Sequence, residues 1–323
     1  MSTLRLSVVL QGSVYDLVQQ VPHHSAQCAR MVLQPKLTAK DFFDFLPPNS
    51  HRTGDIWTGL PSFGVLTEPH VTGIVITPSC DLAQNKSETI SYVPIVPIAS
   101  FFYMNQFYFE IWQEISNILR KRKIEARVTP PKRFSLPAVE EIEGVIDIIN
   151  EETDRDVVGD LDRLKNFVTY IQCCVSRSAA TIAVINSIIM PSRRRKLMQS
   201  IIRNAYRSDT HFIPADGKSG IASAVSTHSV CLFRYTMTIA TDILDVAQET
   251  SPSEWTSRIS KMKLPGGVAS QVTARPVRMA TVRAEFMSDL LSRLISMYIR
   301  LGSRDFTDDT IAFYTKELEG ATI

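Results

Sequence analysis

Gly54-Asp55-Ile56-Trp57-Thr58 begins a stretch of three short apolar runs that decides the fold class. The other two runs are Thr72-Gly73-Ile74-Val75-Ile76-Thr77 and Thr89-Ile90-Ser91-Tyr92-Val93-Pro94-Ile95-Val96-Pro97-Ile98. β-branched and aromatic residues are frequent in the runs and turn residues separate them, which predicts a small antiparallel barrel or sheet. Pro94 and Pro97 cannot donate to a strand ladder, so we expect the third strand at an edge of the sheet or bent.

Helical spacing replaces this pattern from about residue 101 to residue 207. Apolar residues recur there at i, i+3, i+4 and i+7, which indicates a bundle of amphipathic helices. The expected helices are Phe107–Lys123, Leu136–Glu151, Leu161–Cys174, Ala179–Ile189 and Arg193–Tyr206.

β-prone runs return at Thr210–Pro214 and His228–Tyr235, and the spacing over Arg278–Leu301 predicts a long C-terminal helix. The simplest interpretation of this order is one α+β domain whose sheet is split by a helical insertion. We therefore expect the strands before and after the insertion to share one sheet.

The expected domain boundaries follow from these changes of pattern. Residues 1–50 form a leader with helices at Val14–Val21 and after Thr38, a plausible N-cap with Asp41 three residues on. Residues 51–100 and 209–323 form the split β-domain with its C-terminal helix, and residues 101–208 form the insertion.

Composition excludes several classes of protein. Of the 323 residues, 44% are hydrophobic and 21% are charged, so the chain is neither disordered nor collagen-like. The five cysteines form no Cys-x-x-Cys pair, which favours free thiols in a reducing cytoplasm. We recognise no signal peptide, and the longest apolar run, 179–190, is too short to span a membrane.

No cofactor or metal is expected. The six histidines have no metal-binding spacing, and neither a phosphate-binding P-loop nor a Gly-x-Gly-x-x-Gly turn occurs. The net charge of +2 does not itself indicate a polyanionic partner.

Residues 51–98 resemble the PemK/MazF-type toxins, which are SH3-like barrels that cut single-stranded RNA. The similar pieces are Gly54-Asp55-Ile56-Trp57, Gly73-Ile74-Val75-Ile76-Thr77-Pro78, Asn85-Lys86 and Tyr92-Val93-Pro94-Ile95. The resemblance implies a small antiparallel SH3-like barrel, here split by the helical insertion. The insertion has no counterpart in those compact toxins.

The resemblance also implies a catalytic site, but one key residue is not matched. The family places an Arg just before the second strand, where this chain has His70, Val71 and Thr72. Thr77 matches the family's hydroxyl position, and Arg52 lies nearby but before the first strand. Without the Arg, the phosphate loses its obvious electrostatic partner.

Cys80 is a further catalytic candidate because it directly follows the second strand. It would act as a nucleophile if His70, His211 or His228 lay close to it. The structural alternative is a small buried thiol in a turn. The catalytic candidates are therefore Thr77, Arg52, Cys80 and His70.

Two basic clusters are candidate surfaces for nucleic acid or an acidic protein. Cations belong at a helix C-terminus, which explains the first cluster, whereas the second begins a helix and opposes its dipole. We therefore expect Arg193, Arg194 and Arg195 to face outward and to bind a partner. The candidate binding residues are Arg120, Lys121, Arg122 and Lys123 in the first cluster and Arg193, Arg194, Arg195, Lys196 and Arg203 in the second.

Three functions remain open at this point. The first is a nucleic-acid-associated accessory or effector protein of a bacterial toxin or phage-defence type. The second is a PemK/MazF-like RNA endonuclease with a rearranged site, and the third is a non-catalytic subunit of a protein complex. An acidic stretch over residues 140–162 is either a solvated helix face or a partner of the basic clusters, within the chain or in a homo-oligomer.

Overall fold

The computed structural model divides the chain into two units, Met1–Lys36 and Leu37–Ile323. The structure describes residues 6–10, 13–17, 37–45, 50–63, 66, 68–84, 86–132, 135–151, 157–176, 182–299 and 307–309.

The first unit contains a β-hairpin where the leader was expected to be helical. Strands β1 (Leu6–Leu10) and β2 (Ser13–Leu17) pair antiparallel, with Val8 opposite Tyr15. The helix expected at Val14–Val21 is therefore wrong over its described residues, because residues 14–17 lie in β2 and pair with β1.

The second unit is built on one antiparallel sheet of eight strands. Their order is β3-β10-β4-β5-β6-β8-β7, with β9 pairing with β6. The bounds are β3 (Phe43–Asp44), β4 (Asp55–Pro61), β5 (His70–Val75), β6 (Thr89–Pro97), β7 (Thr210–Ile213), β8 (Ser229–Leu232), β9 (Met237–Ala240) and β10 (Val277–Val282).

The expectation that strands from both sides of the helical block share one sheet is confirmed. β4, β5 and β6 precede the block, and β7 and β8 follow it. Within the described residues the sheet is not closed, because the end strands β3 and β7 do not pair with each other. The fold is thus mixed α and β around an open antiparallel sheet.

Strand β6 is an interior strand, so of the two alternatives for it, an edge position or a bend, the edge position is wrong. It pairs with β5 on one side and with two short strands on the other. The partner β9 covers residues 89–92 and the partner β8 covers residues 95–97, so Pro94 falls between them. The missing N–H of Pro94 is therefore placed where neither short strand needs it.

Twelve helices are present in the described residues, and five of them match the predicted bundle. The bounds are α1 (Ala39–Phe42), α2 (Ser79–Ala83), α3 (Ile98–Phe101), α4 (Asn105–Lys121), α5 (Val139–Asn150), α6 (Val157–Ser176), α7 (Ile182–Ile188), α8 (Pro191–Ile202), α9 (Thr241–Glu249), α10 (Trp255–Lys261), α11 (Gly266–Ala269) and α12 (Ala284–Tyr298).

Three buried clusters surround the sheet, and the strands alternate between two of them. Ile56 and Ile74 face the core that α12 covers, whereas their neighbours Trp57 and Val75 face the core under α9 and α10. Helices α4 to α8 share a third core that reaches the sheet through Val96 of β6 and two residues of β8. The insertion is therefore packed onto the sheet by burial of apolar surface.

The C-terminal helix begins later than predicted. Residues 277–282 form β10, which pairs with both β3 and β4, and the helix covers Ala284–Tyr298. Likewise the helix expected after Thr38 ends at Phe42, and Phe43 enters β3. Its predicted cap is confirmed, because Thr38 donates through both its N–H and its Oγ1 to Asp41 Oδ2 at 2.7 and 2.6 Å.

In the part of the chain that the structure describes, no helix is both long and apolar enough to cross a membrane.

Candidate anion-binding site

An open cleft of about 460 Å³ lies where β3, β4 and β10 meet. The charged side chains that line it are mostly basic. The lining residues are Lys40, Phe43, Asp44, Phe45, Arg52, Thr281 and Arg283.

Gly54 allows the strands to meet at this end of the sheet. Its φ is +90°, and a Cβ there would lie 2.9 Å from the carbonyl oxygen of Val282. The Gly54 N–H donates to Val75 O at 2.8 Å, and Gly54 O accepts from Val282 N at 2.9 Å. Only glycine adopts this conformation without steric cost, so this residue holds β5 and β10 beside the start of β4.

Asp55 is buried next to two residues that line the cleft, Arg52 and Thr281. Its carboxylate is fully buried and accepts three hydrogen bonds. Thr281 Oγ1 donates to Oδ1 at 2.7 Å, and the Arg52 N–H and Arg278 Nη1 donate to Oδ2 at 2.9 and 3.1 Å. Asp55 therefore fixes the backbone of Arg52 at the rim of the cleft.

Arg278 balances the charge of Asp55 from behind the cleft. Its side chain is only 7% exposed, and it also donates to Ser50 O at 2.7 Å and to Gln248 Oε1 at 2.8 Å. This guanidinium lies 5.8 Å from the ring centre of Trp57. Because the buried charges cancel, the electrostatic character of the cleft is determined by its rim.

The rim carries three cations and one carboxylate. Lys40 and Arg52 are exposed, and neither forms an ion pair within the described ranges. Arg283 Nε donates to Asp44 Oδ1 at 3.1 Å, with both side chains largely exposed. The four charged side chains leave a net charge of +2 around an open cleft, which favours an anionic ligand.

An aromatic ring and a fourth cation extend this surface. Phe45 lines the cleft, and Lys218 Nζ lies 4.2 Å from the centre of the Phe45 ring. Lys218 is positioned by buried Asp216, which accepts hydrogen bonds from the N–H groups of Lys218, Ala224 and Val225. These bonds, with one from a serine hydroxyl, hold the pKa of Asp216 below its ordinary value despite its burial.

Of the four catalytic candidates, Arg52 alone lines this cleft. Thr77 is buried and serves the fold, because its Oγ1 accepts from Ser91 N at 2.7 Å and its carbonyl accepts from Thr53 Oγ1 at 2.7 Å. That second bond places the Arg52–Thr53 segment beside the end of β5. Arg52 thus lies near the strand end that carries Thr77, although it precedes the first strand in sequence.

Cys80 and His70 do not form a catalytic pair. His70 begins β5 and Cys80 lies beyond its other end, so a six-residue strand, about 17 Å from its first to its last Cα, lies between them. His70 Nε2 instead accepts from Ala274 N at 3.3 Å and contacts Thr273 Oγ1 at 3.0 Å. Cys80 is exposed on α2, so the expectation of a buried thiol is wrong.

Of the three arginines expected to face outward at the start of α8, Arg195 is exposed, whereas Arg193 and Arg194 bond within the chain. Arg193 bonds Glu110 Oε2 at 3.0 Å and also pairs with Glu114 of α4. Arg194 Nη1 donates to Asn186 O at 2.9 Å, near the C-terminal end of α7. The cations that oppose the dipole of α8 therefore satisfy an acidic helix face and the carbonyls of the preceding helix.

The cluster at the end of α4 is also partly used inside the chain. Arg122 Nη2 donates to Asp160 Oδ2 at 2.8 Å and its side chain is 6% exposed. Lys121 Nζ lies 3.5 Å from the same oxygen. The exposed members of the two clusters are Arg120, Lys121, Lys123, Arg195, Lys196 and Arg203.

Sequence reasoning missed Lys40, Arg283 and Lys218 as members of one surface. They come from α1, from the end of β10 and from a loop after β7, so no local motif connects them. The available signal was Gly54-Asp55, because a glycine before a buried acid at a strand start indicates a constrained turn. Among described residues, no group of three or more His, Cys, Asp or Glu side chains could hold a metal ion.

No protein-family model, curated protein or solved structure matches this chain.

Proposed function

We propose that this protein binds nucleic acid through its phosphates at the cleft, as an accessory or effector protein of a bacterial toxin or phage-defence type. The observation that carries the proposal is the cleft rim, where Lys40 and Arg52, which form no ion pair among the described residues, lie beside Arg283. The buried charges of Asp55 and Arg278 next to the cleft cancel. Guanidinium and ammonium groups are the usual phosphate ligands in such interfaces.

Preorganisation supports the proposal as well. The backbone of Arg52 is held by Asp55, and the position of Arg283 is fixed by its N–H, which donates to Phe42 O at 3.1 Å. A cation whose backbone is already ordered loses less entropy when it binds an anion. Phe45 adds an aromatic surface beside the cations, where a base could stack.

The test is a fluorescence anisotropy titration of labelled single-stranded RNA, single-stranded DNA and duplex DNA over a range of salt concentrations. We expect affinity to fall as salt rises, because phosphate contacts release counterions. The triple variant Lys40→Ala/Arg52→Ala/Arg283→Ala should weaken binding on every sequence and reduce the salt slope by up to about three units.

A matched control removes the same charge elsewhere. Arg258, Lys261 and Lys263 are exposed on and just after α10, remote in sequence from every residue of the rim. Changing these three to Ala should leave affinity and slope nearly unchanged. Equal losses in both triple variants would show that only net charge matters, and no binding by the wild type at low salt would refute the proposal.

RNA cleavage is a second candidate, favoured by the position of Arg52 beside the end of β5. In this alternative the resemblance to the PemK/MazF-type toxins extends to activity, and β4, β5 and β6 correspond to strands of their SH3-like barrel. Arg52 would supply the guanidinium that the sequence lacks before β5. Incubation with single-stranded RNA should then give products that Arg52→Lys reduces strongly, because a lysine lacks the forked guanidinium.

A third candidate is a non-catalytic subunit of a protein complex in the cytoplasm. It predicts that the rim variant loses a protein partner while its affinity for polyanions is unchanged. Comparing proteins co-purified with wild type and with the rim variant distinguishes this candidate from the first.

A further inference from the structure

Helix α8 presents a basic outer face. At about 100° per residue, Arg195, Lys196, Gln199, Ile202 and Arg203 fall within one arc of roughly 120°. All five residues are exposed, and Leu197 and Ile201 form the buried side of the same helix. Within the described part of the chain, the three cations of this basic face form no ion pair.

Helix α5 presents an acidic outer face of comparable length. Glu140, Glu143 and Asp147, with Glu151 just after the helix, fall within an arc of roughly 80°. All four are exposed, and none of them is ion-paired among described residues. The buried side of α5 consists of Ile142, Val145 and Ile149.

Several other charged side chains of the same helical layer form ion pairs within the chain. Arg122 pairs with Asp160, Arg163 with Glu114, and Arg193 with Glu110 and Glu114. Because these charges are paired, the carboxylates of Glu114 and Asp160 are buried within the helical layer. On α5 and α8, by contrast, a stripe of a single sign of charge faces outward.

We propose that the basic face of α8 and the acidic face of α5 bind each other between two copies of this chain. The lengths agree, since residues 195–203 span about 12 Å and residues 140–151 about 16 Å at 1.5 Å per residue. The basic face also carries Ile202, which is 55% exposed, and Ile148, which is 38% exposed, lies about 60° around α5 from the edge of the acidic face. These two side chains supply apolar contact beside the charges.

The contact joins two different surfaces of the chain. Two copies form a closed dimer where both α8–α5 contacts are made at once, and otherwise the contact repeats to form rings or open chains. Exposed ion pairs are individually weak and screened by salt, so the association should grow with protein concentration and disappear at high ionic strength.

The experiment is sedimentation velocity of the full chain over a wide concentration range, at low and at high salt. We expect the weight-average mass to rise above that of one chain at low salt and to return to it at high salt. The basic-face variant Arg195→Glu/Lys196→Glu/Arg203→Glu and the acidic-face variant Glu140→Lys/Glu143→Lys/Asp147→Lys should each remain monomeric under both conditions.

Mixing the two variants is the decisive step. One variant then has two acidic faces and the other has two basic faces, so an equimolar mixture should associate again. The control reversal Arg258→Glu/Lys261→Glu/Lys263→Glu should associate like the wild type. Far-ultraviolet circular dichroism of each variant, compared with wild type, shows that loss of association is not loss of fold.

Three outcomes would overturn the inference. They are a monomeric wild type at low salt, a mixture of the two variants that stays monomeric, and a basic-face variant whose only defect is lost affinity for nucleic acid. The first two outcomes do not bear on the cleft, whose test uses Lys40, Arg52 and Arg283. The third would assign nucleic-acid binding to α8 and count against the cleft as well.

Discussion

Arg52 and Arg193 show how differently two regions of this molecule use an arginine. Arg52 stands at the end of the sheet, exposed, with its backbone held by Asp55 and no carboxylate paired to its guanidinium among described residues. Arg193 stands in the helical layer, one-third exposed and bonded to two glutamates of α4. The first is available to a ligand, whereas the second is already occupied.

The difference lies in the surroundings rather than in the local sequence. A run of arginines at the start of a helix is typical of a binding surface, yet Arg193 and Arg194 hold α8 against α4 and α7. An isolated arginine before a strand does not by itself indicate a binding site, yet Arg52 shares a cleft with cations from distant segments. Ion pairing therefore separates structural arginines from candidate ligands for anions.

The largest expected effect comes from removing the buried carboxylate of Asp55. Asp55→Ala removes the carboxylate that Arg278, Thr281 and the Arg52 N–H share. An uncompensated buried guanidinium should then cost about 3–5 kcal/mol of the free energy of unfolding. Urea denaturation followed by circular dichroism measures the loss.

The isosteric variant Asp55→Asn separates charge from hydrogen bonding at the same position. An amide oxygen still accepts hydrogen bonds, so this variant should lose less stability than Asp55→Ala. A loss below about 1 kcal/mol for the alanine variant would contradict the assignment of Asp55 as a buried ionic partner.

His211 of β7 is a buried titratable group that should make the stability of the fold depend on pH. Burial lowers the pKa of His211 from its ordinary value of 6.5 to about 4. The facing charged groups are Asp289, 3.9 Å from Nδ1, and Arg293, both on α12. The unfolded chain then binds a proton more readily than the folded one, so stability should be complete above pH 6.5 and fall as the pH drops towards 4.

This pH effect should reach roughly 3 kcal/mol, because one pKa unit corresponds to about 1.4 kcal/mol. The variant His211→Phe keeps an aromatic ring against Phe233 and cannot titrate. Thermal unfolding measured from pH 7 to pH 4 should show a flatter dependence for this variant than for wild type. An unchanged slope would mean that His211 stays neutral in both states or is already charged in the fold.

Separate replacement of Arg193 and Arg195 in α8 tests the difference between an ion-paired and an exposed arginine. Arg193→Ala leaves buried Glu114 with one cation instead of two, so it should cost about 1–3 kcal/mol. Arg195→Ala removes an exposed cation without a described partner and should change stability by less than about 0.5 kcal/mol. Equal effects in chemical denaturation would refute the distinction between inward and outward arginines.

The smallest expected effect concerns Cys80. The variant Cys80→Ser should change stability by less than about 0.5 kcal/mol, because the side chain is exposed. The wild-type Cys80 thiol should react with a thiol reagent in the folded protein, whereas Cys231 should not, since complete burial raises the pKa of its thiol far above the ordinary value. Protection of Cys80 in the native state would contradict the position found on α2.

Much of the sheet could be predicted because its strands are locally distinct. Runs such as 72–77 combine β-branched residues with flanking turns, and the helices of the insertion have clear apolar stripes. Strand β10 could not be predicted, because Val277–Val282 contains Arg278 and Met279 and continues into a true helical pattern. Its strand conformation is imposed by pairing with β3 and β4, which is a tertiary effect.

The candidate site was less predictable than the fold for the same reason. Arg52 was identified as a candidate, but Lys40, Phe45 and Arg283 join it only through the pairing of β3 with β10. The predicted burial of Cys80 was wrong because a strand end does not show which way the following turn points. Side chains gathered from distant strands leave no spacing that a single sequence reveals.

The pairing of β10 with β4 also has a consequence for how the chain folds. Thr281 bonds Asp55 across 226 positions of sequence, so this buried hydrogen bond joins segments from near opposite ends of the second unit. Contacts of such long separation form slowly, because much chain entropy is lost before they are made. During synthesis, the cleft can form only after residue 283 has left the ribosome, when nearly every other strand is already present. A ribosome-bound chain stopped before β10 should therefore have a largely formed central sheet and no anion-binding cleft.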